Sequence, residues 1–135
     1  MAEVERGNFL EHNEVHGNFY GTHKSAVREI VTQGKVCVLD IDVKGAIDIA
    51  KKASKEFTCN YVFIQTKNVE ELRARLTARG TETEETLNKR VSAAEKEMKM
   101  AKECGLFQKT LINDEKEAFI KQTTSYVVKD LYNLK

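Results

Sequence analysis

The hydrophobic positions of this chain of 135 residues alternate between short continuous runs and helical stripes. Val36 to Ile41 is a nearly unbroken apolar run that closes on two carboxylates, Asp40 and Asp42. Such a run predicts a strand buried on both faces, as in a parallel sheet covered by helices. Before it, Val27, Ile30 and Val31 recur at helical spacing over 26–33, and Gly34 stops them. After it, Val43, Ala46, Ile47 and Ala50 form the stripe of a helix that begins near Val43. Tyr61 to Gln65 predicts a second buried strand. Asn68-Val69-Glu70-Glu71 reads as a capping box, opening a helix with Val69, Leu72 and Leu76 that ends at Gly80. Thr81 and Glu84 form a second box, and Leu87, Val91, Ala94, Met98 and Ala101 follow at four-three spacing as far as Gly105. Leu106 to Asn113 predicts a third core strand. A closing helix runs from about Glu115 to Tyr132 with Phe119, Ile120, Val127 and Leu131 on its buried side. Strands alternating with helices in this way predict an α/β fold. The first 23 residues differ: Phe9 to Glu11 and Val15 to Thr22 predict short strands and tight turns.

Composition narrows the class. Charged residues make up 32% of the chain, 22 Lys and Arg nearly balance 21 Asp and Glu, and the hydrophobic share is 41%. That balance argues against broad attraction to nucleic acid or membrane surfaces. No stretch approaches the ~20 apolar residues of a membrane span, and Met1 to Arg6 lacks the apolar region of a signal peptide. An intracellular, cytoplasmic protein is therefore expected. Cys37, Cys59 and Cys104 are odd in number and lie in apolar contexts, which suits buried thiols in a reducing compartment. The length suits one domain or a piece of one, with no repeat or linker.

Three groups of residues can carry chemistry. Asp40 and Asp42 emerge at the carboxyl end of the predicted strand, the edge at which open α/β sheets bind ligands. Asp42 is equally well placed to cap the helix that follows, and the strand alone does not choose between these roles. Glu11, Tyr20 and Thr22 supply a carboxylate, an aromatic hydroxyl and a small hydroxyl, which together suit a purine with exocyclic donors and a phosphate. An ordinary hairpin accounts for the same segment and is preferred on these residues alone. Arg75 and Arg79 lie four apart on one helix, with Arg90 beyond Gly80. Three guanidiniums from a helix-turn-helix suit a polyphosphate. The competing account is a salt-bridged face, since Glu71, Glu82, Glu84, Glu85 and Glu97 are near enough in sequence to neutralise them. A metal site of His12, His16 and His23 is disfavoured, because His12 and His16 share only helical spacing in a segment read as extended.

Glu11 to Thr22 (EHNEVHGNFYGT), Leu39 to Asp42 (LDID), Arg79 to Glu85 (RGTETEE) and Ile112-Asn113-Asp114 resemble guanylate kinase, in order and over nearly the entire chain. The first and third segments carry the resemblance; the other two are weak by themselves. It implies a P-loop kinase-like parallel core with flanking helices, part of a GMP-binding subdomain (1–23), core segments (24–74 and 104–135) and a helical lid with its long helix (75–103), all in a single domain of residues 1–135. The implied reaction moves the terminal phosphoryl group of ATP to GMP with Mg2+. Glu11 would accept from the guanine edge, Tyr20 would hydrogen-bond the GMP phosphate, and Thr22 and Asp42 would help fix the base. Arg79 and Arg90 would reach the transferring phosphates, Arg75 would support them, Asn113 would lie near adenine, and Asp40 would face magnesium through water. Lys44 stands where the family usually has glutamine, and Gln65 to Asn68 replaces a proline-containing turn.

One departure is larger. The family's glycine-rich phosphate loop, its strand and the arginines that follow have no counterpart in these residues, as in a truncated product, a fragment or a misplaced gene start. Little turnover is expected from this chain alone, because that loop supplies most of the ATP phosphate cradle. The absent strand would lie between Val36–Ile41 and Tyr61–Ile64. Two exposed apolar edges are therefore expected, inviting association between copies or strand exchange. A non-catalytic guanylate-kinase-like module that binds GMP or protein is the alternative.

Overall fold

The computed structural model describes residues 6–15, 18–80 and 82–132. Their contacts cluster into two compact units, Met1–Cys59 and Asn60–Lys135.

The first unit opens with the expected hairpin, β1 (Phe9–Val15) against β2 (Asn18–His23), antiparallel. Phe9 faces His23 but Glu11 faces Thr22, so β1 carries one extra residue, Leu10. This bulge turns Leu10 inward, where it is 2% exposed, and re-aims Glu11. Gly21 permits the tight pairing. A Cβ there would stand 2.7 Å from the Glu11 carbonyl oxygen and 2.8 Å from the Phe9 ring, closer than side-chain atoms pack. Helix α1 (Lys24–Thr32) starts two residues earlier than its apolar spacing predicts, because the His23 ring accepts the Ser25 N–H and caps it.

Helix α2 (Val43–Ala53) buries Val43, Gly45, Ala46, Ile49 and Ala53. The expected stripe is thus corrected: Ile47 and Ala50 are only half-buried. Gly45 is among the contacts with β1, and a residue without a side chain brings its own face of the helix inward.

The expected core strand at Val36–Ile41 is not a strand. The run has no regular secondary structure and no backbone hydrogen bond to another described residue. Val36 and Val38 are 47% and 84% exposed, whereas Cys37, Leu39 and Ile41 are half-buried. The in-out alternation of a strand is present without a ladder, since a β-strand is defined by a neighbour and none lies beside this run among the described residues. The thiols need correction as well. Cys37 and Cys59 are half-buried and Cys104 is exposed.

In the second unit β3 (Val62–Gln65) pairs in parallel with β4 (Lys109–Ile112), Val62 facing Lys109 and Gln65 facing Ile112. Gln108 N–H to the Tyr61 carbonyl (3.0 Å) and Asn113 N–H to the Gln65 carbonyl (2.8 Å) extend the ladder at both ends. Both strands are shorter than predicted. Leu111 is fully buried, but Ile64 is 49% exposed, so β3 is not covered on both faces as expected. Helix α3 (Val69–Ala78) is capped by Asn68, whose side chain accepts the Glu71 N–H at 2.8 Å. It ends at Gly80, which has a positive φ of 67°.

Helix α4 (Glu84–Glu103) is capped by Thr83 in a reciprocal box with Thr86. The box expected from Thr81 and Glu84 is therefore displaced by two residues, and Thr81 lies outside the described residues. Serving as cap needs a hydroxyl three residues from a reciprocating side chain, and two threonines meet that need as glutamate would. Leu76, Leu87 and Val91 pack together with Val69 and Leu72 and hold α3 to α4. The closing helix divides into α5 (Lys116–Ser125) and a π-helical segment (Tyr126–Leu131). None of its residues is buried, and Ile120, expected inside, is 52% exposed.

Candidate functional site

In the first unit the bulge decides the site. Glu11 and Thr22 stand directly opposite, so their side chains share a face, and the Thr22 hydroxyl donates to Glu11 Oε1 at 2.7 Å. Tyr20 lies two residues before Thr22 and so projects to that same face, 60% exposed. Asn13, opposite Tyr20, belongs to it as well and escaped the sequence reading. Strand alternation would have found it once the register was known.

The N-terminus of α2 meets this face. A Cβ at Gly45 would lie 3.6 Å from Glu11 Cγ and 3.1 Å from Asp42 Oδ1, so both carboxylates flank one glycine. Asp42 Oδ1 accepts the Gly45 N–H at 2.7 Å and caps the helix. The second oxygen of this exposed carboxylate is left for other work. Glu11, Thr22, Tyr20 and Asp42 thus border one polar surface of acceptors and hydroxyls. Asp40 is exposed and has no partner among the described residues.

In the second unit the three arginines have different surroundings. Arg75 Nε pairs with Glu71 Oε1 at 2.7 Å, and its Nη2 donates to the Asp114 carbonyl at 2.6 Å. Lys67 stands 3.6 Å from the Asp114 carboxylate, so the turn after β4 is held from two directions. That turn carries Asn113, which lines a cavity of about 210 Å3 with Phe63, Gln65, Thr66, Leu72 and Met98 among its walls. This volume falls below the roughly 300 Å3 at which ligand pockets usually begin; it suits a ring rather than a whole nucleotide. Arg90 Nε pairs with Glu82 Oε1 at 3.0 Å. The Arg79 side chain, exposed at the C-cap of α3, has no partner among the described residues. The salt-bridged account therefore describes Arg75 and Arg90, and leaves Arg79 as the open cation of the three. Sequence presents Glu82 only as a neutralising charge; that its side chain is just 9% exposed is not legible there.

The other candidates form no centre. His23 is occupied in capping α1, His12 is exposed, and His16 lies outside the described residues. Among the described residues no three His, Cys, Asp or Glu side chains gather to hold a metal, and no helix is long and apolar enough to cross a membrane.

Comparison with known proteins gives the family. The guanylate kinase family model matches residues 1–130. A guanylate kinase of Sus scrofa is 43% identical over 114 residues, covering 84% of this chain and 56% of that protein. Another, from Wolinella succinogenes, is 47% identical over 103 residues, covering 76% of this chain and 47% of its own length. The crystal structure of guanylate kinase from Anaplasma phagocytophilum superposes with a TM-score of 0.64 over 97% of this chain and 60% of that one, at 21% identity, a likeness of fold. The chain spans about half the length of these relatives. It belongs to the guanylate kinase family.

Proposed function

We propose that this chain carries the acceptor-base and lid portions of an ATP:GMP phosphotransferase, whose reaction gives ADP and GDP. The observation that supports this most is the Thr22 to Glu11 hydrogen bond, set beside the α2 N-terminus and Asp42. Guanine presents an N1–H and an exocyclic amine on one edge, and two carboxylates are the acceptors that such an edge needs. Thr22 orients Glu11, which accepts from that edge; Asp42 offers the oxygen not used in capping; Tyr20 reaches the GMP phosphate with its exposed hydroxyl. Adenine offers a different edge, with an acceptor where guanine has the N1–H, and is rejected.

On the donor side Arg79 is the first phosphate contact, Arg90 a second, and Arg75 a support that holds the turn bearing Asn113. Guanidinium forks suit this because they keep their charge and grip oxygens in pairs. Mg2+ normally keeps several waters and takes one or two carboxylates together with substrate phosphates. Asp40, exposed and without a partner among the described residues, fits such a water-mediated contact, where the ion would neutralise phosphate charge. No glycine-rich run precedes a helix in these 135 residues, so the chain by itself turns over little.

Titration of the chain with GMP and, separately, AMP tests the reading. GMP is expected to bind and AMP not; equal affinities would sink it. In a coupled assay the purified chain should show no turnover that Arg79→Ala abolishes. Such turnover would overturn the expected inactivity and leave the guanine pocket standing.

A further inference from the structure

Most charged pairs along α3 and α4 lie in water. Lys89 and Glu85 are 72% and 78% exposed, and Arg73 and Glu84 are 44% and 83% exposed. Glu82 is different. Its side chain is 9% exposed, although it sits in the short link between two helices, where a glutamate ordinarily reaches solvent. Arg90, its partner at 3.0 Å, is 57% exposed. Neither has another partner among the described residues. A carboxylate withdrawn from water needs its counter-charge, whereas an exposed arginine gains little from a surface pair. The asymmetry makes the less exposed Glu82 the better anchored end of the pair.

We infer that Glu82 is a positioning residue for Arg90: from its mostly covered site it pairs with Nε and so keeps the guanidinium in place beside it, with the terminal nitrogens presented to solvent for phosphate oxygens. Arginine carries five donors in a planar fork, and a carboxylate at Nε leaves donors on the terminal nitrogens to serve an anion. Glu82 touches no substrate and acts only through Arg90. This rests on the reading of Arg90 as a phosphate contact given above, and deepens it.

The two accounts of Glu82 predict opposite signs. If Glu82 merely neutralises the lid, removing its charge tightens polyphosphate binding. If it positions Arg90, binding weakens even though a negative charge has gone. The full chain is titrated with inorganic tripolyphosphate as wild type, Glu82→Gln, Glu82→Asp and Arg90→Ala, with circular dichroism to confirm that each is folded. Glu82→Asp keeps the charge but withdraws the carboxylate by one methylene, so it reads position alone. We expect both Glu82 variants to weaken tripolyphosphate binding by about 3- to 10-fold, and Arg90→Ala by about 10-fold or more, the loss of a charge-assisted contact. Adding Glu82→Gln to Arg90→Ala should cost no further affinity.

Unchanged or tighter binding in the Glu82 variants, with Arg90→Ala impaired, overturns the positioning role and leaves the phosphate role of Arg90 intact. Unchanged binding in Arg90→Ala, or no binding by the wild-type chain, overturns both. Should Glu82→Gln not fold, Glu82→Asp decides by the same criterion.

Discussion

Asp42 is asked to do two things, and two substitutions separate them. One oxygen accepts the Gly45 N–H at 2.7 Å, while the other is left for a base. Replacing a side-chain cap with alanine costs typically ~1 kcal/mol, and asparagine caps as well as aspartate. The carboxylate also faces the helix dipole. An exposed anion there contributes about 0.3–1 kcal/mol, and α2 has no acidic residue in its first turn to share that role. Asp42→Ala should therefore lose about 1.5 kcal/mol and Asp42→Asn only about 0.5 kcal/mol.

Binding orders the variants differently. A hydrogen bond to a charged acceptor is worth about 1.5–3 kcal/mol, so both substitutions should lower GMP affinity by about 10- to 100-fold. Urea unfolding followed by far-ultraviolet circular dichroism reads the first quantity, and amide exchange at Gly45 and Ala46 locates it in α2. Calorimetric titration with GMP reads the second. Asp42→Asn as unstable as Asp42→Ala would refute the side-chain cap. GMP affinity unchanged in Asp42→Asn would refute the base contact and leave the cap in place.

Other expectations follow from packing. Gly21→Ala places a methyl against the Glu11 carbonyl and the Phe9 ring; it should destabilise the first unit by about 1–3 kcal/mol in urea, with loss of GMP binding as the Glu11–Thr22 register shifts. Thr123 has a buried hydroxyl with no hydrogen-bond partner among the described residues. Thr123→Val, nearly the same shape, should stabilise the chain by about 1 kcal/mol, and a lower urea midpoint would show the hydroxyl to be satisfied. Val36 and Val38 leave an apolar, unladdered edge, so the chain should associate with itself in sedimentation experiments and Val38→Lys should shift it toward monomer. A monodisperse wild-type monomer would count against that edge as a sticking point.

Helix boundaries were legible where a single residue type dictates the backbone. Gly34, Gly80 and Gly105 all adopt positive φ just past helices, as their places after apolar stripes suggest. The cap at Thr83 was misplaced because two threonines and three glutamates lie in five residues, and several pairings satisfy the capping pattern. The stripe of α2 was misread for a related reason. Hydrophobicity selects Ile47 over Gly45, but a glycine can be the residue of closest approach, and no periodicity of apolar side chains detects it.

The run at Val36–Ile41 separates what a sequence encodes locally from what it does not. Its alternation in exposure is that of a strand, and its composition is that of a strand buried on both faces. Burial on the second face and the ladder itself are properties of neighbours, so the segment can hold the right pattern and still present Val38 to water. The site divides along the same line. Glu11 and Thr22 meet because the Leu10 bulge and Gly21 are local, short-range devices. Which arginine is open, by contrast, depended on pairings such as Arg75 with the Asp114 carbonyl, 39 residues away in the chain. Charge counting could not have separated Arg79 from Arg75 and Arg90. Only the places where Glu71 and Glu82 come to rest do so, and the low exposure of the Glu82 side chain is what distinguishes its pair from the solvated ones around it.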